Sequence, residues 1–227
     1  MSTLYMVATP IGNLGDITFR AVETLKQVSL VACEDTRRTM KLLTHLAIQV
    51  RMISVRSANE KAAAEKVVAA LREGRDVAYV SDAGTPALSD PGAALARIVT
   101  EAGFDVTPIP GASAFASLLS VAGAQDKTVV FEGFLSPKAA RRKRRVGELM
   151  AGNTGFVVYE SPFRVLKLLE DIADFDRVRY ICVGREMTKM HEEFIRGSAE
   201  TVYERLAETG EPRGEFAVYV SAFALNN

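Results

Sequence analysis

Short apolar runs of four to six residues recur along this chain, and between them apolar residues fall at helical spacing. No other feature constrains the fold as much. Such a run suits a strand buried on both faces. Strands taken in turn with helices imply βαβ units and a largely parallel sheet. In the first half the runs lie at 4–8, 30–33, 50–53, 77–80 and 106–109. Asp16 is placed to cap a helix reaching about Gln27, with Ile17, Ala21 and Leu25 on one face. Ala63, Val67, Val68 and Leu71 mark the next helix, which Gly74 stops. Residues 111–121 read as a helix built of small residues.

The second half follows the same grammar with different spacing. Strands are expected at 129–131, 155–159, 179–183, 194–195 and 216–220. Phe216, Val218 and Val220 alternate with Ala217 and Tyr219, the pattern of a half-buried strand. Val165, Leu168, Leu169 and Ile172 give a helix after Pro162. The boundary is expected near 123–127, giving an N-terminal domain at 1–122 with a largely parallel sheet and a C-terminal domain at 123–227 with a mixed sheet. Two closely joined domains would leave a cleft, a common place for a small-molecule site.

One segment reads as a ligand loop. The apolar run 77–80 leads into Ser81-Asp82-Ala83-Gly84-Thr85-Pro86-Ala87-Leu88-Ser89-Asp90-Pro91-Gly92, and a helical pattern starts near Ala93. Open α/β proteins bind ligands where strands end, and small residues let a ligand approach the main chain. This loop has two acids and no Lys or Arg, which argues against a grip on bare phosphate and favours a neutral or cationic ligand.

The formal net charge is zero, so any case for nucleic-acid binding must be local. The densest charge run is Arg141-Arg142-Lys143-Arg144-Arg145, expected at the start of a helix ending near Met150. A solvated face is the ordinary reading of such a run, but its density in a neutral chain favours phosphate contact. Arg37, Arg38 and Lys41 form a second basic group. Cys33 and Cys182 both sit in apolar runs and read as buried thiols, not a disulfide. The histidines are too far apart in sequence to suggest a metal site. No apolar run is long enough to span a bilayer and no signal pattern opens the chain, so a cytoplasmic protein is expected.

Seven phrases occur together and in order: residues 8–16 (ATPIGNLGD), 34–37 (EDTR), 81–86 (SDAGTP), 110–114 (PGASA), 159–162 (YESP), 184–189 (GREMTK) and 214–216 (GEF). In order and spacing they resemble the bacterial 16S ribosomal RNA (cytidine-2'-O)-methyltransferases, which have a tetrapyrrole-methylase-like fold. The resemblance covers essentially the whole chain. It implies two α/β domains, S-adenosylmethionine as methyl donor, a homodimer, and methylation of a cytidine ribose in the decoding region of the small ribosomal subunit. This chain departs from the family pattern at Phe163, where His is usual, and at Met187, where Leu is usual. The first change removes a titratable group, and the second nearly conserves shape.

With the resemblance, Pro10, Gly84, Thr85, Pro86, Leu88, Ser113, Ala114, Tyr159 and Glu186 are the expected donor-binding residues. Glu186 and Lys189 are the candidates for direct catalysis, the lysine as a cation beside a developing alkoxide. Arg37, Arg38 and Arg141 to Arg145 are the expected RNA contacts. A corrinoid C-methyltransferase of the same fold, or a non-catalytic ribosomal RNA-binding assembly factor, are the alternatives.

Overall fold

The structure is a computed structural model and describes residues 2–56, 60–208, 210 and 212–224. The chain divides into two compact units, Met1–Ser113 and Ala114–Asn227.

The first unit runs β1 (Thr3–Val7), α1 (Phe19–Gln27), β2 (Leu30–Cys33), α2 (Thr36–His45), β3 (Arg51–Ser54), α3 (Glu60–Arg72), β4 (Val77–Val80), α4 (Ala93–Glu101) and β5 (Asp105–Ile109). Its sheet has the order β3-β2-β4-β1-β5, and every pair is parallel. The unbroken apolar runs follow from cover on both faces. Val77 and Tyr79 of β4 join a core with Leu4, Val67, Leu71 and Leu95. Ala78 and Val80, pointing the other way, join Leu25, Val31, Leu43 and Ile109. Pro108 interrupts the ladder only on the edge strand β5, where a missing donor is tolerated. The first helix differs from expectation. Asp16 closes a short 3₁₀ turn, Leu14–Asp16, and the cap of α1 is Thr18, whose hydroxyl accepts from the Ala21 amide.

The second unit runs α5 (Ala114–Ala122), β6 (Val129–Phe134), α6 (Ala139–Met150), β7 (Gly155–Glu160), α7 (Val165–Phe175), β8 (Arg179–Arg185), β9 (Glu193–Ser198), α8 (Ala199–Glu208) and β10 (Phe216–Ala224). The sheet order is β6-β7-β10-β8-β9, with β6 and β7 parallel and the other pairs antiparallel. The units divide before α5, earlier than the expected 123–127, because α5 packs on β8 and β10. The same packing corrects the reading of β10. Phe216, Val218 and Val220 enter the core beneath α6, α7 and α8. Ala217 and Tyr219 are buried as well, so this central strand is covered on both faces and not half-buried.

Candidate functional site

Three loops of the first unit meet beyond the C-terminal ends of its parallel strands. Thr9, after β1, exchanges two backbone hydrogen bonds with Gly84, after β4, at 3.0 and 2.9 Å. The Thr85 hydroxyl donates to the Ala112 carbonyl, after β5, at 3.2 Å. Gly84 has φ +78°, and a Cβ there would lie 3.2 Å from the Ile11 side chain and 3.6 Å from the Ala112 carbonyl. The position therefore needs glycine both for its backbone and for close approach. Ala87 is also left-handed, at φ 65°. At the far end Tyr79 donates its hydroxyl proton to the Pro91 carbonyl at 2.8 Å, anchoring the loop to β4.

These contacts hold Gly84, Thr85 and Pro86 beside the strand that Pro10 follows. Pro86 is buried, Pro10 and Ser113 are half-buried, and Leu88 is 43% exposed. A recess of about 120 Å³ is lined by Thr9, Pro10, Leu14, Arg38, Ser81 and Asp82 among others. It is small beside the ~300–1,000 Å³ of ordinary ligand pockets, so it suits part of a ligand.

The recess lies at the reversal of the sheet. The chain leaves β2 outward towards β3, whereas it leaves β4 across β1 to β5. Such a reversal opens a crevice at the strand ends. Acids gather there. The Asp35 amide donates to Asp82 Oδ1 at 3.0 Å, and the Asp82 amide to Glu34 Oε2 at 3.4 Å. Burial, with repulsion from Asp82 and Asp90, raises the Glu34 carboxyl above its ordinary value. Burial also raises Asp90, against a hydrogen bond from Ser81. Glu34 and Asp82 were not singled out as site residues from sequence. The available signal was an acid within two residues of the end of each of two buried strands.

Arg37 and Arg38 stand at the start of α2, exposed but engaged. Arg37 pairs with Asp35 at 2.7 Å and Arg38 with Asp82 at 3.5 Å.

In the second unit Tyr159 lies at the end of β7 within a chain of edge-to-face rings. Its ring is 5.0 Å from that of Phe131 and 5.8 Å from that of Phe134, and Phe131 is 5.2 Å from Phe115. Ala114 opens α5. Glu186 and Lys189 belong to a strained turn after β8, with Glu186 at φ 48° and Thr188 at φ 67°. Glu186 Oε1 accepts from Lys189 Nζ at 2.8 Å and from the Glu215 amide at 2.9 Å. Lys189 Nζ also donates to Glu215 Oε2 at 2.9 Å. A Cβ on Gly214 would sit 2.4 Å from Glu186 Cγ, so glycine there makes room for the anchored carboxylate. The hydrogen bond from Lys189 lowers the Glu186 carboxyl below its ordinary value. Burial disfavours charge on Lys189, but hydrogen bonds to Glu186 and Glu215 outweigh it and raise the ammonium. The pair is a fixed cation with its counter-charges. It suits electrostatic stabilisation better than proton removal.

The basic run begins in the first turns of α6, but its cations do not form one surface. Arg142 is 5% exposed and donates from Nε to Asp171 of α7 at 2.7 Å, so it is withdrawn from any phosphate-contacting face. Lys143 pairs with Asp174, Arg144 with Glu148, and Arg145 with Glu132 and Glu148. Among the described residues, Arg141 alone of the five makes no ion pair. Cys33 and Cys182 are buried free thiols. Among the described residues no helix is long and apolar enough to cross a membrane.

Two α/β units, one with a parallel sheet and glycine-containing strand-end loops, define a class of fold that solved structures share. The uroporphyrin-III-C-methyltransferase of Thermus thermophilus superposes with a TM-score of 0.67 at 19% identity, covering 98% of this chain and 95% of that one. A cobalt precorrin-4 methyltransferase reaches 0.69 at 14% identity, covering 96% and 94%. Sequence comparison is more particular. Residues 3–203 match the family model for tetrapyrrole (corrin/porphyrin) methylases, and the chain belongs to that family. A protein named "Ribosomal RNA small subunit methyltransferase I" in Synechocystis is 44% identical to it, over 97% of this chain and 79% of that protein. The relative of that name in Borrelia garinii is 44% identical over 96% and 98%, and in Thermotoga maritima 42% over 97% and 99%.

Proposed function

We propose that this chain is an S-adenosylmethionine-dependent methyltransferase that modifies the ribose 2'-hydroxyl of a cytidine in 16S ribosomal RNA of the small ribosomal subunit. The observation that carries the reading is the 44% identity, over 97% of the chain, to a protein named as a small-subunit ribosomal RNA methyltransferase. The ribose position, the cytidine and a homodimer rest on the resemblance of the seven phrases.

The first unit's loops fit the donor. Gly84 leaves a cradle that a Cβ would fill, and the loop offers backbone polar groups and carboxylates but no cation. That suits a ligand with a positive reactive centre and polar hydroxyls. Pro10, Gly84, Thr85, Pro86, Leu88 and Ser113 are the first unit's proposed donor contacts. Ala114, Tyr159 and Glu186 are those of the second. When bound, S-adenosylmethionine supplies a methyl group on a sulfonium. The residues' work is to hold donor and acceptor in line, where much of the rate of such a displacement originates. The role proposed for Lys189, kept charged by Glu186 and Glu215, is to stabilise the ribose oxygen as its proton leaves. Arg141, Lys143, Arg144 and Arg145 of α6, with Arg37 and Arg38 of α2, are the proposed RNA contacts.

The test is incubation of purified protein with radiolabelled donor and small ribosomal subunits, followed by digestion to nucleosides. Label in 2'-O-methylcytidine is expected. Label in a base, or only in an added corrinoid precursor, overturns the substrate. RNA binding with no label anywhere identifies a non-catalytic factor.

A further inference from the structure

The turn after β7 displays an aromatic ring beside an immobilised cation. Phe163 is 88% exposed. Its neighbour Arg164 directs Nε and Nη2 to one oxygen, Glu160 Oε1, at 2.8 and 2.6 Å. The Glu160 side chain is 0% exposed, and its second oxygen has no hydrogen-bond partner among the described residues. A buried carboxylate needs a counter-charge, so Glu160 fixes the arginine firmly. Because both donors converge on Oε1, the rest of the guanidinium fork stays outside this pair. The backbone is equally constrained. The Ser161 amide donates to Glu160 Oε1 at 2.7 Å, and the Arg164 and Val165 amides donate to the Ser161 carbonyl at 3.1 Å each.

More apolar surface lies at the same end of the neighbouring strand. Phe134, 58% exposed, closes β6 directly opposite Tyr159 in the parallel register. An exposed ring on a rigid turn, next in sequence to a fixed guanidinium whose side chain stays a quarter exposed, offers the two groups that an unstacked nucleotide requires. Its base stacks on an aromatic face, and its phosphate takes the charged fork. The charge run of α6 contains no aromatic residue, and four of its five cations are engaged in ion pairs.

We infer that Phe163 and Arg164 form a nucleotide clamp for the RNA substrate: Phe163 stacks on an unpaired base, Arg164 binds an adjacent phosphate, and Glu160 is the positioning residue that holds the arginine. The inference rests on the proposed RNA substrate and names the part of the surface that takes it.

The experiment compares the wild type with Phe163→Ala, Phe163→Trp and Arg164→Lys. It measures methyl transfer against small-subunit concentration, donor affinity by calorimetry, and oligomeric state by sedimentation. Phe163→Ala is a surface change that leaves folding intact. It is expected to raise KM for the subunit about ten-fold or more, with donor Kd and oligomeric state unchanged. Phe163→Trp is expected to restore KM. Arg164→Lys keeps the charge but loses the fork; it is expected to raise KM while sparing donor Kd. An unchanged KM in Phe163→Ala overturns the clamp, as does a loss explained by weaker donor binding or by altered association between copies. If the wild type itself places no methyl on ribosomal RNA, the substrate assignment falls and the clamp falls with it. If the wild type is active and Phe163→Ala matches it, only the clamp falls.

Discussion

A run of five cations on a helix points to every side of it, so one must face whatever the helix packs on. In α6 that residue is Arg142, which shares its face with the buried Val146 and Met150 at i+4 and i+8. Its guanidinium is taken out of water only because Asp171 meets it. Removing one partner of a buried pair strands the other, at a cost of about 3–5 kcal/mol. Arg142→Ala is therefore expected to lower stability by that order in chemical denaturation. Arg141→Ala is expected to leave stability unchanged. It should instead flatten the salt dependence of RNA binding, with the slope of log K against log salt falling by about 0.7–0.9 for each phosphate that is no longer neutralised. Equal stabilities for the two variants would contradict the assignment. Glu34 gives a pH-dependent case. Its folded-state pKa is raised, chiefly by burial, so the fold opposes its ionisation. Stability is then greatest below the ordinary carboxylate range and declines as pH climbs to the folded-state value. Glu34→Gln should be more stable than the wild type at pH 7, and the advantage should vanish near pH 3. A variant that is equally or less stable at pH 7 would refute this.

At the scale of elements, the strand-end loops of the first unit depend on one glycine. Gly84→Ala must hold an L side chain at φ +78° against Ile11, which costs about 1–2 kcal/mol for the backbone alone. Donor affinity, measured by calorimetry, is expected to fall more than ten-fold, because the Thr9–Gly84 bridge that sets the loop would shift. An unchanged Kd would move the donor site elsewhere. This loop was legible in the sequence because its signals are local: a buried strand, small residues, and a helix start. The central parallel strands β2 and β4 were legible for the same reason, being apolar throughout. The misreadings all involve neighbours that the local pattern does not show. Thr18 and Asp16 are both good cap types, and only the turn capped by Asn13 decides between them. Burial of both faces of β10 goes with the packing of α5 on that strand, which a period-two pattern cannot reveal. Phe115, Phe131, Phe134 and Tyr159 became one cluster only when β6 and β7 paired. The facing of Arg142 was hidden because a charge run shows its sign but not its partner.

At the scale of the whole molecule, each unit has its own sheet and its own buried clusters. Those of the first cover both faces of a parallel sheet. That of the second packs α6, α7 and α8 on a mixed one, with Leu168, Leu169 and Ile172 fully buried. Two cores of this kind make a single all-or-none transition a poor default, because opening one sheet need not expose the other's apolar surface. Leu168→Ala tests this. Truncating a fully buried leucine costs about 2–5 kcal/mol, depending on how far the cavity collapses. Hydrogen exchange followed by mass spectrometry is expected to show faster exchange across β7, β8 and β10. Exchange in β2 and β4 should stay at the wild-type rate. If those two strands lose protection to the same extent, the units unfold as one body and the separate cores have no energetic meaning. If only the second unit responds, donor affinity measured on the same variant shows whether the first unit's loops can bind the donor while the second unit is weakened.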